Sequence, residues 1–280
     1  MLNADLTTFI QHNVAAALVE DLRDGDVTAQ LLAPTLQATA RLITRQAAVL
    51  CGKAWFDTCF QAMDPDCKIQ WHVQEGDAMT PNQLLCEIKG NARALLTAER
   101  SALNFLQTLS GTATITRRYV EEVAGINVKI MDTRKTLPSL RMAQKYAVQV
   151  GGGHNQRIGL FDGILIKENH IAAAGGIPAV LSKAFAVARP DTSVQIEVES
   201  LDELQQALSA GAKLILLDNF DLDGLRAAVI LTGGHAELEA SGGITLDTMR
   251  DIALTGVDRI SIGTLTKDLA SVDFSLRIVC

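Results

Sequence analysis

Residues 127–170 read NVKIMDTRKTLPSLRMAQKYAVQVGGGHNQRIGLFDGILIKENH. Two apolar runs, VKIM and GILI, predict strands. Each run leads directly into polar residues, Asp132-Thr133-Arg134-Lys135 and Lys167-Glu168-Asn169-His170. The stretch holds seven cations and three acids, although the formal net charge of the chain is -7. Because ligands and catalytic groups collect where parallel strands end, this reversal of sign predicts an anion-binding site.

Strand-like runs recur through the second half of the chain, and each is followed by a helix-like stretch. They stand at 127–132, 163–167, 193–199, 213–218, 236–240 and 258–262. This alternation predicts a parallel α/β barrel or an open parallel sheet. Two runs alternate charged with apolar residues, which favours a barrel, since both faces of an open sheet are covered by helices. Glu197 and Glu199 then share one face, with Glu199 nearer the mouth.

The first part of the chain has a different pattern. Four β-rich runs stand at 37–44, 47–52, 68–76 and 84–90, with a single helical stretch between the second and the third. Such an order predicts an α+β domain with an antiparallel sheet. Residues 91–124 are predicted to be helical, with a break near Ser110-Gly111. The predicted domains are 1–112, a barrel at 113–267, and a C-terminal segment at 268–280 that packs back on the first domain.

Composition excludes several classes of protein. The chain has 280 residues, of which 48% are hydrophobic and 20% charged, as in globular proteins. A pI of 5.3 with only 4% aromatic residues disfavours a nucleic-acid surface. The absence of a signal-like start or a long apolar run disfavours secretion and membrane spanning and predicts a cytoplasmic protein. Five cysteines without a C-x-x-C pair predict reduced thiols rather than a disulfide framework.

Polar groups at the predicted strand ends define a candidate site. They are Thr133, Arg134, Lys135, Lys167, Asn169, His170, Glu199, Asp218, Asn219, Ser241, Gly242, Gly243 and Gly263. Arginine and lysine bind carboxylates and phosphates, whereas two neighbouring carboxylates suit Mg²⁺ that also contacts phosphate oxygens. Glycines after Ser241, followed by a helix near Thr245, suit a phosphate group. Together they predict a site for a Mg²⁺-bound phosphorylated sugar beside a polyanion.

Other chemistries fit less well. The sequence has no P-loop, and the glycines at 151–153 do not complete a dinucleotide fingerprint because position 156 is Gln. No G-x-S-x-G or H-E-x-x-H motif is present. Lys167 could form a Schiff base, as in aldolase-like barrels. A simple carbonyl substrate would not require so many arginines.

Several motifs in a fixed order resemble the quinolinate phosphoribosyltransferase family, also called nicotinate-nucleotide pyrophosphorylase (carboxylating). They are Gly25-Asp26-Val27-Thr28, Glu99-Arg100-Ser101-Ala102-Leu103-Asn104, Met131-Asp132-Thr133-Arg134-Lys135-Thr136, the runs 151–160 and 166–170, Glu197-Val198-Glu199, Leu217-Asp218-Asn219-Phe220, 239–244 and 261–266. The resemblance spans nearly the whole chain.

The resemblance implies a pentosyltransferase. Quinolinate and 5-phosphoribosyl 1-pyrophosphate would give nicotinate mononucleotide, pyrophosphate and CO₂ in de novo NAD biosynthesis, with Mg²⁺. It implies an N-terminal α/β sandwich domain followed by an incomplete α/β barrel of six or seven strands. It also implies an obligate homodimer in which Arg100 reaches the neighbour's site.

The resemblance also implies residue roles. Arg134, Arg157 and Lys167 would bind the two quinolinate carboxylates, and Lys135 the pyrophosphate. Glu199 and Asp218 would contact the ribose hydroxyls and Mg²⁺. Substrate contacts would further include Thr133, Ser241, Gly242, Gly243 and Gly263, with Lys135, Lys167, Glu199 and Asp218 as the catalytic set.

One position departs from the family pattern. The family commonly has histidine where this chain has Gln156, and His154 stands two residues earlier. His154 either compensates or is a structural residue of the glycine turn. Gln156 can donate a hydrogen bond but carries no charge. Asn169 and His170 are further candidates, with an orienting role expected for His170.

Alternatives remain within and outside enzymes. A sister enzyme could use nicotinate, or the chain could be the related pyrophosphorylase-like protein of molybdenum metabolism. A barrel that only binds or senses anions is the alternative outside enzymes. Two carboxylate-binding arginines favour a dicarboxylate substrate, and metal-facing carboxylates favour an enzyme.

Overall fold

A computed structural model describes residues 2–279. Its helices are α1 Leu2–Leu22, α2 Lys53–Met63, α3 Ala92–Glu122, α4 Arg141–Val150, α5 Glu168–Ala174, α6 Ile177–Val187, α7 Leu201–Ser209, α8 Leu222–Thr232, α9 Leu246–Ala253 and α10 Thr264–Lys267. Its strands are β1 Gln37–Thr44, β2 Ala48–Val49, β3 Lys68–Trp71, β4 Ala78–Met79, β5 Leu84–Asn91, β6 Lys129–Met131, β7 Gly163–Ile166, β8 Ser193–Val198, β9 Leu214–Asp218, β10 Glu237–Ser241, β11 Arg259–Ser261 and β12 Phe274–Val279.

The chain forms two compact units. The first comprises the chain up to Arg117, Thr136–Gly152 and the chain from Thr266 onward, and the second comprises Arg118–Lys135 and Gly153–Leu265. The prediction assigned the segment 136–152 to the barrel, whereas in the structure this segment belongs to the first unit. Its helix α4 belongs to the first unit because Ala143 and Ala147 are buried in the hydrophobic core of that unit.

The first unit contains an antiparallel sheet in the order β12-β1-β5-β3 and a short pair, β2 and β4. The side chains of Trp55, Phe56 and Phe60 on α2 are fully buried and belong to the core that also includes Leu42 of β1. β12 pairs along β1, with Phe274 opposite Thr44. The C-terminal strand thereby completes the edge of the first sheet.

Helix α3 continues through Ser110 and Gly111, so the predicted break there is wrong. Ser110 Oγ accepts from the N–H of Cys51 at 3.0 Å and donates to its carbonyl at 3.1 Å. At Gly111 an added Cβ would lie 2.3 Å from the carbonyl oxygen of Ala270. The two small residues therefore permit close packing of the helix and do not end it.

The second unit is built on one parallel sheet in the order β6-β11-β10-β9-β8-β7. The first strand of this unit, β6, pairs with its last strand, β11, and β6 and β7 are the two edge strands. This sheet and its helices form an incomplete α/β barrel of six strands, as the sequence predicted. Gln195 and Glu197 of β8 are buried although they are polar, which agrees with side chains that face a barrel interior.

Strand register brings the predicted polar residues to one edge of the sheet. Asp218 at the end of β9 pairs with Ser241 at the end of β10, and Met131 of β6 pairs with Ser261 of β11. Because all six strands are parallel, their carboxyl ends and the loops that follow lie on the same side.

Two further observations bear on the sequence predictions. Among residues 2–279, no single helix is long and apolar enough to cross a membrane, although the bent pair α5 and α6 meets that criterion by length and composition alone. Cys51, Cys59, Cys67 and Cys86 are free thiols. Cys280 lies outside the described residues.

Candidate active site

A cavity of about 300 Å³ opens at the carboxyl edge of the second unit's sheet. It is lined by Thr133, Arg134, Lys135, Gln156, Arg157, Leu165, Lys167, Glu197, Leu216, Asp218, Glu239, Ser241 and Ser261. Every strand of the barrel contributes a residue to the lining, either from the strand itself or from the segment that follows it. Gln156 and Arg157 come from the loop before β7. Its volume is at the lower end of the range for ligand pockets, about 300 to 1,000 Å³.

The segment after β6 brings a hydroxyl and two cations into the cavity. Thr133 Oγ1 accepts from the backbone N–H of Lys135 at 3.1 Å, which closes a short turn. An added Cβ at Gly263 would lie 3.1 Å from Cδ of Lys135. Gly263 thus leaves room for the lysine stem.

A buried carboxylate holds the loop that carries Gln156. The side chain of Asp132 is fully buried, and its oxygens accept from Asn155 Nδ2 at 2.6 Å and from the backbone N–H of Gln156 at 2.8 Å. His154 is exposed and contacts β6 through its backbone, whose N–H donates to Ile130 at 2.7 Å. Of the two candidates for the family histidine, Gln156 lines the cavity, whereas His154 is absent from its lining.

Arg157 is anchored by its own loop. Its Nη1 donates to the carbonyl of Gly163 at 2.9 Å, and Asp162 accepts from the N–H groups of Ile158 and Gly159 at 2.8 Å each. Burial lowers the pKa of the Arg157 guanidinium, the positive charge of Arg134 lowers it further, and Asp162 opposes the shift. Burial and the charge of Arg134 thus both disfavour the charged form of Arg157, and an anion bound there would favour it.

Glu197 is the carboxylate that β8 brings to the cavity, although the sequence favoured Glu199. Its side chain is 9% exposed and lies 2.7 Å from Nζ of Lys167. β8 ends at Val198, and Glu199 is exposed outside the cavity lining, with its N–H donating to the side chain of Glu203. The shared face of the two glutamates was the correct signal, but the strand ends one residue earlier than predicted.

A second buried acid, Glu239, was missed by sequence reasoning. Its side chain accepts from Gln195 Nε2 at 3.0 Å and from Gln156 Nε2 at 2.6 Å. Burial raises the pKa of Glu239, while hydrogen bonds from Gln195, Gln156 and Ser261 oppose that rise. The only sequence signal was the alternation of charged and apolar residues in β10, which places Glu239 on the interior face.

The ends of β9 and β10 form the remaining wall of the cavity. Asp218 is half-buried beside Ser241, and the two glycines that follow Ser241 have φ of 105° and 58°, in the left-handed region that favours glycine. Thr245 then begins α9 with a capping box. The N-terminal end of α9, which attracts anions, thus follows the strand end closely.

The predicted glycines Gly242, Gly243 and Gly263 are also outside the cavity lining, and three more predicted side chains lie elsewhere. Arg100 lines a separate cavity of about 260 Å³ in the first unit, together with Asn104 and acidic residues of α1. Asn169 and His170 are exposed in the first turn of α5. His170 Nδ1 accepts from the backbone N–H of Lys167 at 3.0 Å, which orients the start of that helix beside a cavity residue.

Comparison with known proteins agrees with this architecture. Residues 26–110 match the model of the quinolinate phosphoribosyl transferase N-terminal domain, and residues 112–277 match that of the C-terminal domain. The chain is 40% identical over 260 residues to a probable nicotinate-nucleotide pyrophosphorylase (carboxylating) of Bacillus subtilis, covering 93% of this chain and 90% of the relative. It is 40% identical over 275 residues to the nicotinate-nucleotide pyrophosphorylase (carboxylating) of Mycobacterium leprae, covering 95% of each.

A solved structure agrees as well. The nicotinate-nucleotide pyrophosphorylase of Francisella tularensis superposes with a TM-score of 0.94 at 43% identity, over 98% of this chain and 97% of that one. Both domain models, the identity over nearly the full length and the shared fold lead to one assignment. The chain belongs to the quinolinate phosphoribosyl transferase family.

Proposed function

We propose that this protein transfers the phosphoribosyl group of 5-phosphoribosyl 1-pyrophosphate to quinolinate and releases pyrophosphate and CO₂. The product would be nicotinate mononucleotide, in de novo NAD biosynthesis. One observation carries the proposal: Arg134, Lys135, Arg157 and Lys167 line a single cavity in a chain of net charge -7. Membership of the family supports it over residues 26–110 and 112–277.

Arg134 and Arg157 are proposed to bind the two carboxylates of quinolinate. Burial of Arg157 and the nearby charge of Arg134 lower the pKa of the Arg157 guanidinium, and a bound carboxylate would favour its charged form. A planar dicarboxylate supplies two negative groups, each of which can accept a bidentate guanidinium contact. Lys167 is partly neutralised by Glu197, so it is proposed to orient one carboxylate rather than to supply the main charge.

The remaining wall suits the phosphoribosyl donor. Displacement of pyrophosphate builds positive charge on the ribose carbon, and the carboxylates of Asp218 and Glu197 are proposed to stabilise it. Lys135 would bind the departing pyrophosphate. Ser241, Gly242 and Gly243, near the N-terminal end of α9, are proposed to bind the 5-phosphate. Loss of CO₂ leaves electron density on the pyridine ring, which the fixed cations would offset.

Mg²⁺ is the proposed cofactor. Asp218 lines the cavity, and Mg²⁺ commonly takes one or two protein carboxylates plus phosphate oxygens of the substrate. Asp218 therefore fits the ion as a protein ligand, and Glu199, which directly follows β8, stays the second proposed ligand. When bound, Mg²⁺ would neutralise negative charge that develops on the pyrophosphate.

We propose a homodimer in which Arg100 of each subunit reaches the active site of the other subunit. This arginine lines a cavity of the first unit and is absent from the lining of the active-site cavity. Mixing Arg100→Ala and Lys135→Ala proteins tests the sharing, because a mixed dimer would contain one site free of both substitutions. Recovery of about a quarter of wild-type activity after subunit exchange is expected for random pairing. Activity no higher than the sum of the two variants would contradict a shared site.

The cytosol is the proposed compartment, since Cys51, Cys59, Cys67 and Cys86 are free thiols, as is usual in reducing compartments. No partner beyond the two substrates and a second copy of the chain is proposed.

The deciding experiment mixes purified protein with 5-phosphoribosyl 1-pyrophosphate, Mg²⁺ and either quinolinate or nicotinate, and measures both nucleotide and CO₂. We expect both products from quinolinate. Product from nicotinate alone would assign the chain to a nicotinate enzyme instead, and binding of anions without turnover would favour a binding protein. Arg134→Ala or Lys135→Ala should lower turnover by roughly 10² to 10³, the usual effect of removing one preorganised contact.

A further inference from the structure

Asn219 links the ends of two strands that form one wall of the cavity. It follows Asp218, the last residue of β9, and its backbone N–H donates to the carbonyl of Ser241 at 2.9 Å. Its side-chain Nδ2 donates to Oδ2 of Asp218 at 2.8 Å. Asp218 and Ser241 both line the cavity, whereas Asn219 is absent from its lining. Asn219, which is exposed, therefore contacts two cavity residues without itself being part of the lining.

The backbone of Asn219 is in the left-handed region, with φ of 58°. Asparagine adopts this conformation more readily than other residues with a side chain, apart from aspartate and histidine. The conformation turns the chain sharply as soon as β9 ends, so the amide folds back on the preceding carboxylate. A residue with extended backbone here would carry its side chain away from Asp218.

The neighbouring strand is shaped to receive this side chain. Gly242 has φ of 105°, and an added Cβ there would lie 2.1 Å from Oδ1 of Asn219. The amide oxygen thus occupies the space that glycine leaves, while the amide nitrogen faces Asp218. One end of the side chain thus lies against Gly242 and the other end is hydrogen-bonded to the carboxylate.

We propose that Asn219 is a positioning residue that fixes the Asp218 carboxylate for the phosphoribosyl donor. Its hydrogen bond occupies one carboxylate oxygen and sets the plane in which the other oxygen lies. The inference rests on the proposed function, because it takes the donor as the ligand of Asp218. Asn219 itself makes no contact with substrate in this scheme and acts through Asp218 alone.

Two substitutions test the inference. Asn219→Gly keeps the left-handed backbone and removes the amide, whereas Asn219→Asp replaces the donor with a second carboxylate beside Asp218. Asn82 provides the matched control, since it also has a left-handed backbone, with φ of 64°, and donates its N–H to a carbonyl, that of Thr44, at 2.7 Å. Asn82→Gly and Asn82→Asp should behave as the wild type.

The readouts are the KM for each substrate, kcat, and the affinity for 5-phosphoribosyl 1-pyrophosphate by calorimetry. Asn219→Gly should weaken donor binding roughly tenfold or more, because a hydrogen bond to a charged group is lost, while the KM for quinolinate stays near the wild-type value. Asn219→Asp should weaken donor binding further through like-charge repulsion. If the glycine variant does not fold, the aspartate variant carries the test alone.

A double-variant cycle separates positioning from general damage to the fold. In an Asp218→Asn background, adding Asn219→Gly should change donor affinity little, since the group that it positions has already been altered. Fully additive losses, or unchanged donor affinity in both Asn219 variants, would overturn the inference. A wild-type protein that binds the donor but does not turn over quinolinate would overturn the proposed function and leave the inference standing.

Discussion

The ammonium group of Lys167 lies 2.7 Å from Oε2 and 3.0 Å from Oε1 of Glu197. The lysine follows β7 and the glutamate belongs to β8, so two neighbouring strands meet in this ion pair. The side chain of Glu197 is 9% exposed, whereas that of Lys167 is 45% exposed. The negative charge of the buried Glu197 is therefore paired with a lysine whose side chain is still accessible from the cavity.

Lys167→Met should lower kcat/KM for quinolinate by roughly 10² to 10³, the usual effect of removing one preorganised electrostatic contact. The substitution also leaves the carboxylate of Glu197 in the cavity without its counter-ion, where it would repel the substrate's carboxylates. Steady-state kinetics at varied quinolinate concentration measure the change.

Lys267→Met is the control, because the side chain of Lys267 is 48% exposed and pairs with Asp268 at 2.6 Å. It loses a comparable lysine in an ion pair outside the cavity lining. Its activity should equal that of the wild type, since exposed pairs contribute little. Equal activities of the two methionine variants would contradict a role for Lys167.

Asp132→Asn should raise the KM for quinolinate more than it lowers kcat. The carboxylate accepts from Asn155 Nδ2 and from the N–H of Gln156, so an amide nitrogen in place of one oxygen would face a donor. The loop that leads to Arg157 should then lose its fixed position. We expect a change of roughly tenfold, since an unsatisfied buried group costs about 1 to 3 kcal/mol.

Asp26→Asn is the matched control in the first unit. Asp26 accepts from the backbone N–H groups of Thr28 and Ala29 at 2.8 and 3.0 Å, a similar clamp outside the active-site lining. This variant should show a changed free energy of unfolding with an unchanged KM. A KM shift of the same size in both variants would mean that the effect at Asp132 is a general loss of stability.

The sequence predicted the barrel because each of its strands is a short apolar run that ends in polar residues. It favoured Glu199 at the end of β8 and did not indicate that Glu197 lines the cavity. The strand ends at Val198 because Ser200 accepts from the N–H of Glu203, while the Glu203 side chain takes the N–H of Glu199. Glu197 therefore lines the cavity from within β8, whereas the backbone of Glu199 takes part in the helix cap that follows the strand.

Other errors came from contacts between residues distant in sequence. Glu239 is recognisable as a site residue only once Gln156 and Gln195 surround it. A serine-glycine pair usually favours a helix break, but Ser110 and Gly111 lie inside α3 because other segments pack closely against them. Local patterns therefore indicated which strand ends mattered, while tertiary packing determined which side chains reach the cavity.

Glu239→Gln should change how stability depends on pH. The pKa of Glu239 in the folded protein is raised by burial above its ordinary value of 4.5, so the folded state binds the proton more tightly than the unfolded state. The stability that the wild type gains from this group is fully present below pH 4.5 and is lost as pH rises through the folded-state pKa. Relative to Glu239→Gln, the wild type should thus lose free energy of unfolding as pH rises. Urea unfolding of both proteins across this range measures the difference, and a constant difference would contradict the raised pKa.

Gly111→Ala should destabilise the first unit, although alanine in a helix interior is normally favoured over glycine by about 1 kcal/mol. The new Cβ would lie 2.3 Å from the carbonyl oxygen of Ala270, and backbone cannot move aside as a flexible side chain can. Overpacking of this kind costs about 1 to 3 kcal/mol. Gly224→Ala in α8 is the control, because its new Cβ would meet side-chain atoms of Asp221 and Phe220, each at 3.1 Å. Urea unfolding should therefore show a lower midpoint for Gly111→Ala and an equal or higher one for Gly224→Ala, and a stabilised Gly111→Ala would mean that α3 does not pack against residue 270 as closely as described.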